Sequence, residues 1–390
     1  MERRRTEGKN HWYHETQSSA NRAQALPLVP EAATVNDPFL LDITLPEDQA
    51  ANLDGIVTPA RKLYALLFPQ RVTVNRLRTF STYDRLSTAL TVAQVFGIQR
   101  LCNHYAARLA PLPGPDSSRE SNYRLAQITQ YARQLAASPS VIDTRARQQL
   151  EDVGLTQYDV VVITQIIGFV AFQARILAIL QAVLGQPVRA IPGMEIQQEA
   201  DASLFANANI TWQPAIDVVD LRIANAQQMA SLAHWQPLPE LRLLAPLLAH
   251  EHLQLNALGE ICDKLTRATP NKQLAGLTAL YTARINGSVG CFAEALQRTP
   301  QERSMEQALR SGEREVNREM ADNPQIKALL LSVQLLTCAA DRFSSLHFSL
   351  LVEQGFSRQA AVNLLMGCAL NGWINRLKIA LGQTTFPETE

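Results

Sequence analysis

Residues 286–296 read NGSVGCFAEAL and place a single thiol, Cys291, where a thiol can be made reactive. Glycine tolerates left-handed backbone angles, so Asn286-Gly287 suits the end of one helix. Ser288 is then a good first cap for the next, and Cys291 falls at its third position. There the positive end of the helix dipole favours the thiolate. A thiolate attacks peroxide oxygen and becomes a sulfenic acid, which a second thiol must resolve. Glu294, within a turn of Cys291, could supply the acid or base, and Ser288 could donate its hydroxyl to a sulfenate or ligand. The competing reading is core filler, because an unpaired cysteine behaves as a small buried hydrophobe.

The other thiols suggest less. Cys102, Cys262, Cys338 and Cys368 are widely scattered and form no C-x-x-C pair. That is neither a disulfide framework nor a zinc site, and it fits a reducing cytoplasm. His250 and His252 are two apart and diverge on a helix, whereas metal-binding helices space histidines by four. No metal and no cofactor are expected. Lys+Arg and Asp+Glu both total 36, so no net field steers the chain toward nucleic acid or a membrane surface.

The elements that must hold these residues read as helices. Apolar residues recur at three- and four-residue steps from about residue 50 onward, as at Leu244, Leu247, Leu248 and Leu255. Breaks fall at PLPGPDSS (111–118), QPVRAIPGMEIQ (186–197) and WQPLPE (235–240). The run 160–185 is apolar enough for a membrane span, but Gln165, Gln173, Arg175 and Gln181 point to a buried helix instead. An arginine in so apolar a helix needs a partner, and an ion pair is the expected one for both Arg175 and Arg376. The expected fold is all-α. Residues 1–45 form an arm without a core, 46–185 a first repeat, 186–238 a linker with one short helix, and 239–390 a second repeat. The arm's HWYHETQSS, with two exposed aromatics, is expected to dock on a neighbour.

Repetition supports that division. TVAQVFGIQRL (91–101) lines up with YTARINGSVGC (281–291) at an offset of 190. Further on, GLTQYDVVV (154–162) lines up with GFSRQAAVN (355–363), and Phe172 and Arg175 with Trp373 and Arg376, at an offset of 201. About 11 extra residues therefore enter the second copy, within the charged stretch 297–320. The chain reads as a tandem duplication.

At these residues the sequence resembles the carboxymuconolactone decarboxylase superfamily, the all-helical fold of AhpD, and within it the two-copy peroxidase-related branch. The superfamily pattern is a helix, Gly, C-x-x-C and a His four residues later, with an upstream Glu. The second copy matches it with Ser288 and Cys291 at the two cysteine positions. Its histidine position falls on Ala295 and its glutamate position near Gly276. In the first copy the cysteine positions fall on Ile98 and Leu101 and the histidine position on Tyr105. Cys102 and His104 sit one residue out of register, about 100° around a helix. Asp84 and Arg85, placed before the first helix of the motif, resemble its acidic start. Asp84, Arg85, Cys102, His104, Tyr105 and Arg376 are the candidates for substrate binding.

The resemblance implies a peroxidase-related oxidoreductase working through Cys291, with an external thiol as reductant. It also implies a homo-oligomer with sites at subunit contacts, three two-copy chains making a pseudo-hexamer. The missing His, Glu and first Cys equally suit a catalytically inactive descendant that binds a ligand or protein partner. A lactone decarboxylase would need the missing acid–base residues.

Overall fold

The computed structural model describes residues 35–191, 195–207 and 210–385, and the HWYHETQSS arm lies outside them. The fold is all-α. In the first half the helices are α1 (Glu47–Leu67), α2 (Thr82–Phe96), α3 (Gln99–Leu109), α4 (Arg119–Ala137), α5 (Thr144–Asp152) and α6 (Gln157–Val183). A connector carries strand β1 (Thr211–Pro214) and helix α7 (Ala226–Trp235). The second half continues with α8 (Ala245–Leu248), α9 (His252–Ala268), α10 (Lys272–Asn286), α11 (Val289–Arg298), α12 (Arg303–Ser311), α13 (Glu313–Glu319), α14 (Pro324–Cys338), α15 (Ser345–Glu353) and α16 (Arg358–Leu381). Strand β2 (Gly382–Thr385) pairs antiparallel with β1, Trp212 opposite Thr384.

Local chemistry explains most of the boundaries. Ser81 with Asp84, and Thr156 with Asp159, form capping boxes at the starts of α2 and α6. Gly97 and Gly287, both left-handed, end α2 and α10. Helices of the two halves share one spacing. α2 and α10 begin and end 190 residues apart, as do the starts of α3 and α11. α5 and α15 begin and end 201 residues apart, as do the starts of α6 and α16. The added residues between the two blocks hold α12 and α13.

The core centres on α6 and α16, the most extensively packed helix pair, with α1 laid on α9. Among the described residues, α6 alone is long and apolar enough to cross a membrane, and its most apolar 18-residue window is wholly buried inside the protein. A helix buried on every side carries no polar face, which accounts for its even apolarity.

Two expectations need correction. Residues 35–45 are no coreless arm: Phe39, Leu40, Leu41 and Ile43 are buried, and Phe39 packs on Phe169 and Phe172. Gln173 Nε2 donates to the Pro38 and Phe39 carbonyls, both at 2.8 Å. Nor do Asp84 and Arg85 precede the helix, since both lie in the first turn or so of α2, where Asp84 completes its cap.

Candidate functional site

Gly287 (φ +75°) turns the chain from α10 into α11. A Cβ there would come 2.5 Å from Cβ of Ser140 and 2.9 Å from that of Ala200. The turn is thus roofed by the first half and by the connector, and Ala200 N–H also bonds the Ile285 carbonyl at 3.0 Å. Ser288 stands at the cap position and is buried, but its side chain makes no capping bond. Cys291 is the third residue of α11 and only 9% exposed. One turn on, Glu294 forms an ion pair with Lys378 of α16, a lysine just 2% exposed. The Lys378 ammonium lies 5.7 Å from the Trp212 ring, whose Nε1 donates to the Lys378 carbonyl at 2.9 Å. Trp212 also covers Gly290, where an added Cβ would meet the ring at 3.1 Å.

Beside this turn lies a buried amide chain. Gln197 Nε2 donates to Asn286 Oδ1 (3.0 Å), and Asn286 Nδ2 to Asn375 Oδ1 (3.1 Å). Arg376 reaches the same Gln197 at 3.4 Å. The expectation of ion pairs for the two core arginines is not met. Arg175 donates to the Leu336 and Thr337 carbonyls at the end of α14, and Arg376 to the Ala136 carbonyl at the end of α4. Each also bonds the carbonyl four residues back in its own helix. Helix C-terminal carbonyls carry partial negative charge, so they can host a guanidinium without a carboxylate. Burial still lowers both pKa values, that of Arg175 to about 10. These arginines join the halves.

The first-half candidates gather elsewhere. His104 Nε2 and Tyr64 Oη share a 2.6 Å hydrogen bond, and Arg108 donates to the same hydroxyl at 2.6 Å. Burial, then the Arg108 charge, pushes the His104 pKa down to about 4, so the ring is neutral at pH 7. Tyr105 donates to Gln173 Oε1 at 2.7 Å, and burial raises its pKa well above the usual value. Cys102 is buried nearby on the same helix. Asp84 and Arg85 join neither group. They sit at the far end of α2 from Gly97, roughly 20 Å by helix length, where Asp84 meets Arg124 and Arg85 donates to the Leu67 carbonyl.

Burial also disarms three thiols. The Cys262 pKa is raised well above normal, that of Cys338 to about 12, and that of Cys368 is raised where Thr282 and Thr337 touch it at 3.5 Å. His250 bonds the Asp217 carbonyl. No group of three or more His, Cys, Asp or Glu placed to hold a metal occurs among the described residues.

Sequence reasoning missed Lys378, Trp212, Tyr64 and Arg108. Lys378 did leave a signal, being a lone lysine late in an apolar helix. No protein-family model matches the chain, and no curated protein and no solved structure does either.

Proposed function

We propose that the chain is a tandem duplication of an AhpD-like helical unit and acts as a peroxidase-related oxidoreductase in the cytoplasm, assembled as a homo-oligomer, a trimer of two-repeat chains. Its nucleophile is Cys291 and its substrate a peroxide or another thiol-reactive small molecule. An external thiol resolves the sulfenic acid. The observation that carries this reading is the placement of Cys291 in the first turn of α11, directly after the left-handed Gly287, with the Glu294 carboxylate one turn on. A helix start stabilises a thiolate there. The shared helix spacing of the halves supports the duplication.

The test is the pH dependence of alkylation at Cys291, with peroxide consumption followed in wild type and Cys291→Ser. A midpoint below a free thiol's pKa of about 8.5, with turnover lost in the variant, upholds the reading. A Cys291 that reacts only after denaturation refutes it. The second reading, a catalytically inactive protein that binds a small ligand or a partner, draws on the 9% exposure of Cys291 and would then stand.

A further inference from the structure

Lys378 occupies a place where the fold accepts leucine. The residue 201 positions earlier, in the corresponding part of α6, is Leu177, which is fully buried. An ammonium is costly to desolvate, and exchanging a buried ion pair for apolar residues is often neutral or stabilising. Packing alone therefore does not account for Lys378. At an offset of 190, its partner Glu294 corresponds to His104, and Cys291 to Leu101. Only the second half has thiol, carboxylate and ammonium at these positions. Residues three apart on a helix share a face, which sets Glu294 beside Cys291. Lys378 bonds Glu294 from the facing helix, and Trp212 closes over Gly290 and the ammonium. The Glu294 side chain, 18% exposed, is the edge open to solvent.

We propose that Glu294 and Lys378 are the acid–base couple of Cys291, an inference that rests on the peroxide reading above. The Glu294 carboxylate takes the thiol proton. The sulfur lone pair attacks the terminal peroxide oxygen; the S–O bond forms, the O–O bond breaks, and its electron pair leaves on the alkoxide. The Lys378 ammonium protonates that alkoxide. Cys291 is oxidised to the sulfenic acid and the peroxide is reduced to the alcohol. Glu294 is now protonated and Lys378 neutral, and one proton crossing their hydrogen bond restores both. An external thiol then condenses with the sulfenic acid, releasing water, and a second thiol frees Cys291 from the mixed disulfide.

The experiment uses Glu294→Gln, which keeps the side-chain shape, and Lys378→Leu combined with Glu294→Gln, which leaves no unpaired charge; thermal melts check that each is folded. Hydrogen peroxide is the substrate. Sulfenic acid at Cys291 is trapped with dimedone and quantified by peptide mass mapping, and iodoacetamide alkylation of the same peptide is followed against pH. The expected result is sulfenic-acid formation about 100-fold slower in both variants, with the alkylation midpoint moved to higher pH. Wild-type rates and midpoint in either folded variant overturn the couple. If wild type forms no sulfenic acid, the peroxide reading fails by itself. The couple is then judged on the alkylation midpoint, which upholds it if shifted and overturns it if unmoved or if Cys291 reacts only when denatured.

Discussion

Replacing Gly168 with alanine tests the α6–α16 contact at its tightest point. The new Cβ would stand 1.9 Å from Trp373 Cδ1 and 2.4 Å from its Nε1, against an ordinary carbon contact of about 3.5 Å. The indole has nowhere to go. It is fully buried between Phe169 and Phe172, and its Nε1 donates to Gln165 Oε1 at 3.1 Å. Overpacking of this kind costs about 3 kcal/mol, and the better helix propensity of alanine returns about 1 kcal/mol. Gly168→Ala should therefore be less stable by about 2 kcal/mol. Trp373→Phe should cost about 2 kcal/mol through lost volume and an unpaired Gln165. The pair must then be non-additive, because 201 residues away the same register already holds Ala369 and Phe172. Gly168→Ala with Trp373→Phe recreates that combination. It should lose about 2 kcal/mol in total rather than about 4, a coupling of about 2 kcal/mol. Urea unfolding followed by circular dichroism measures all four proteins, and the slopes should agree. Additive losses, or an unharmed Gly168→Ala, would refute both the contact and the correspondence of the two registers.

Three further outcomes follow from the geometry. Unfolded His104 takes a proton near pH 6.5 while the folded ring waits until about 4, so stability falls by about 3 kcal/mol as pH drops through that interval. Equilibrium unfolding between pH 7 and 4 should show that slope reduced in His104→Gln. In Gly382→Ala, the Cβ meets Trp212 at 2.1 Å, so the ring is displaced, its emission moves to the red, and stability drops by about 2 kcal/mol; a difference spectrum against Trp212→Phe isolates the change. Gly287→Ala carries about 1–2 kcal/mol of left-handed strain plus the Ser140 clash, and a second change, Ser140→Gly, should relieve only the clash in a denaturation series.

Helices and their ends were legible because they are written in local chemistry: the Ser81 and Thr156 caps, the terminal glycines 97 and 287, and the unbroken apolarity of α6. Residues 35–45 were not, because Phe39 and Ile43 pack as a non-helical plug held by Gln173, and no periodicity announces that. The arginine partners were equally hidden. They are backbone carbonyls at the ends of distant helices, which any sequence supplies. For the candidate site, the turn and the place of Cys291 could be read from NGSVGC. The Ser288 side chain could not, since a residue at a cap position need not use its hydroxyl there. Lys378 lies 84 residues beyond its partner Glu294, and only comparison with Leu177 makes it stand out.

Arg175 completes a helix end of the second half, and Arg376 completes one of the first. Each half thus lends the other an interior part that it cannot supply itself, and neither can be discarded or exchanged without leaving its neighbour unfinished. That mutual dependence fixes the seam while leaving the flanks free to specialise. His104 with Tyr64 on one side, and Glu294 with Lys378 on the other, show how far two corresponding positions have drifted within one shared frame.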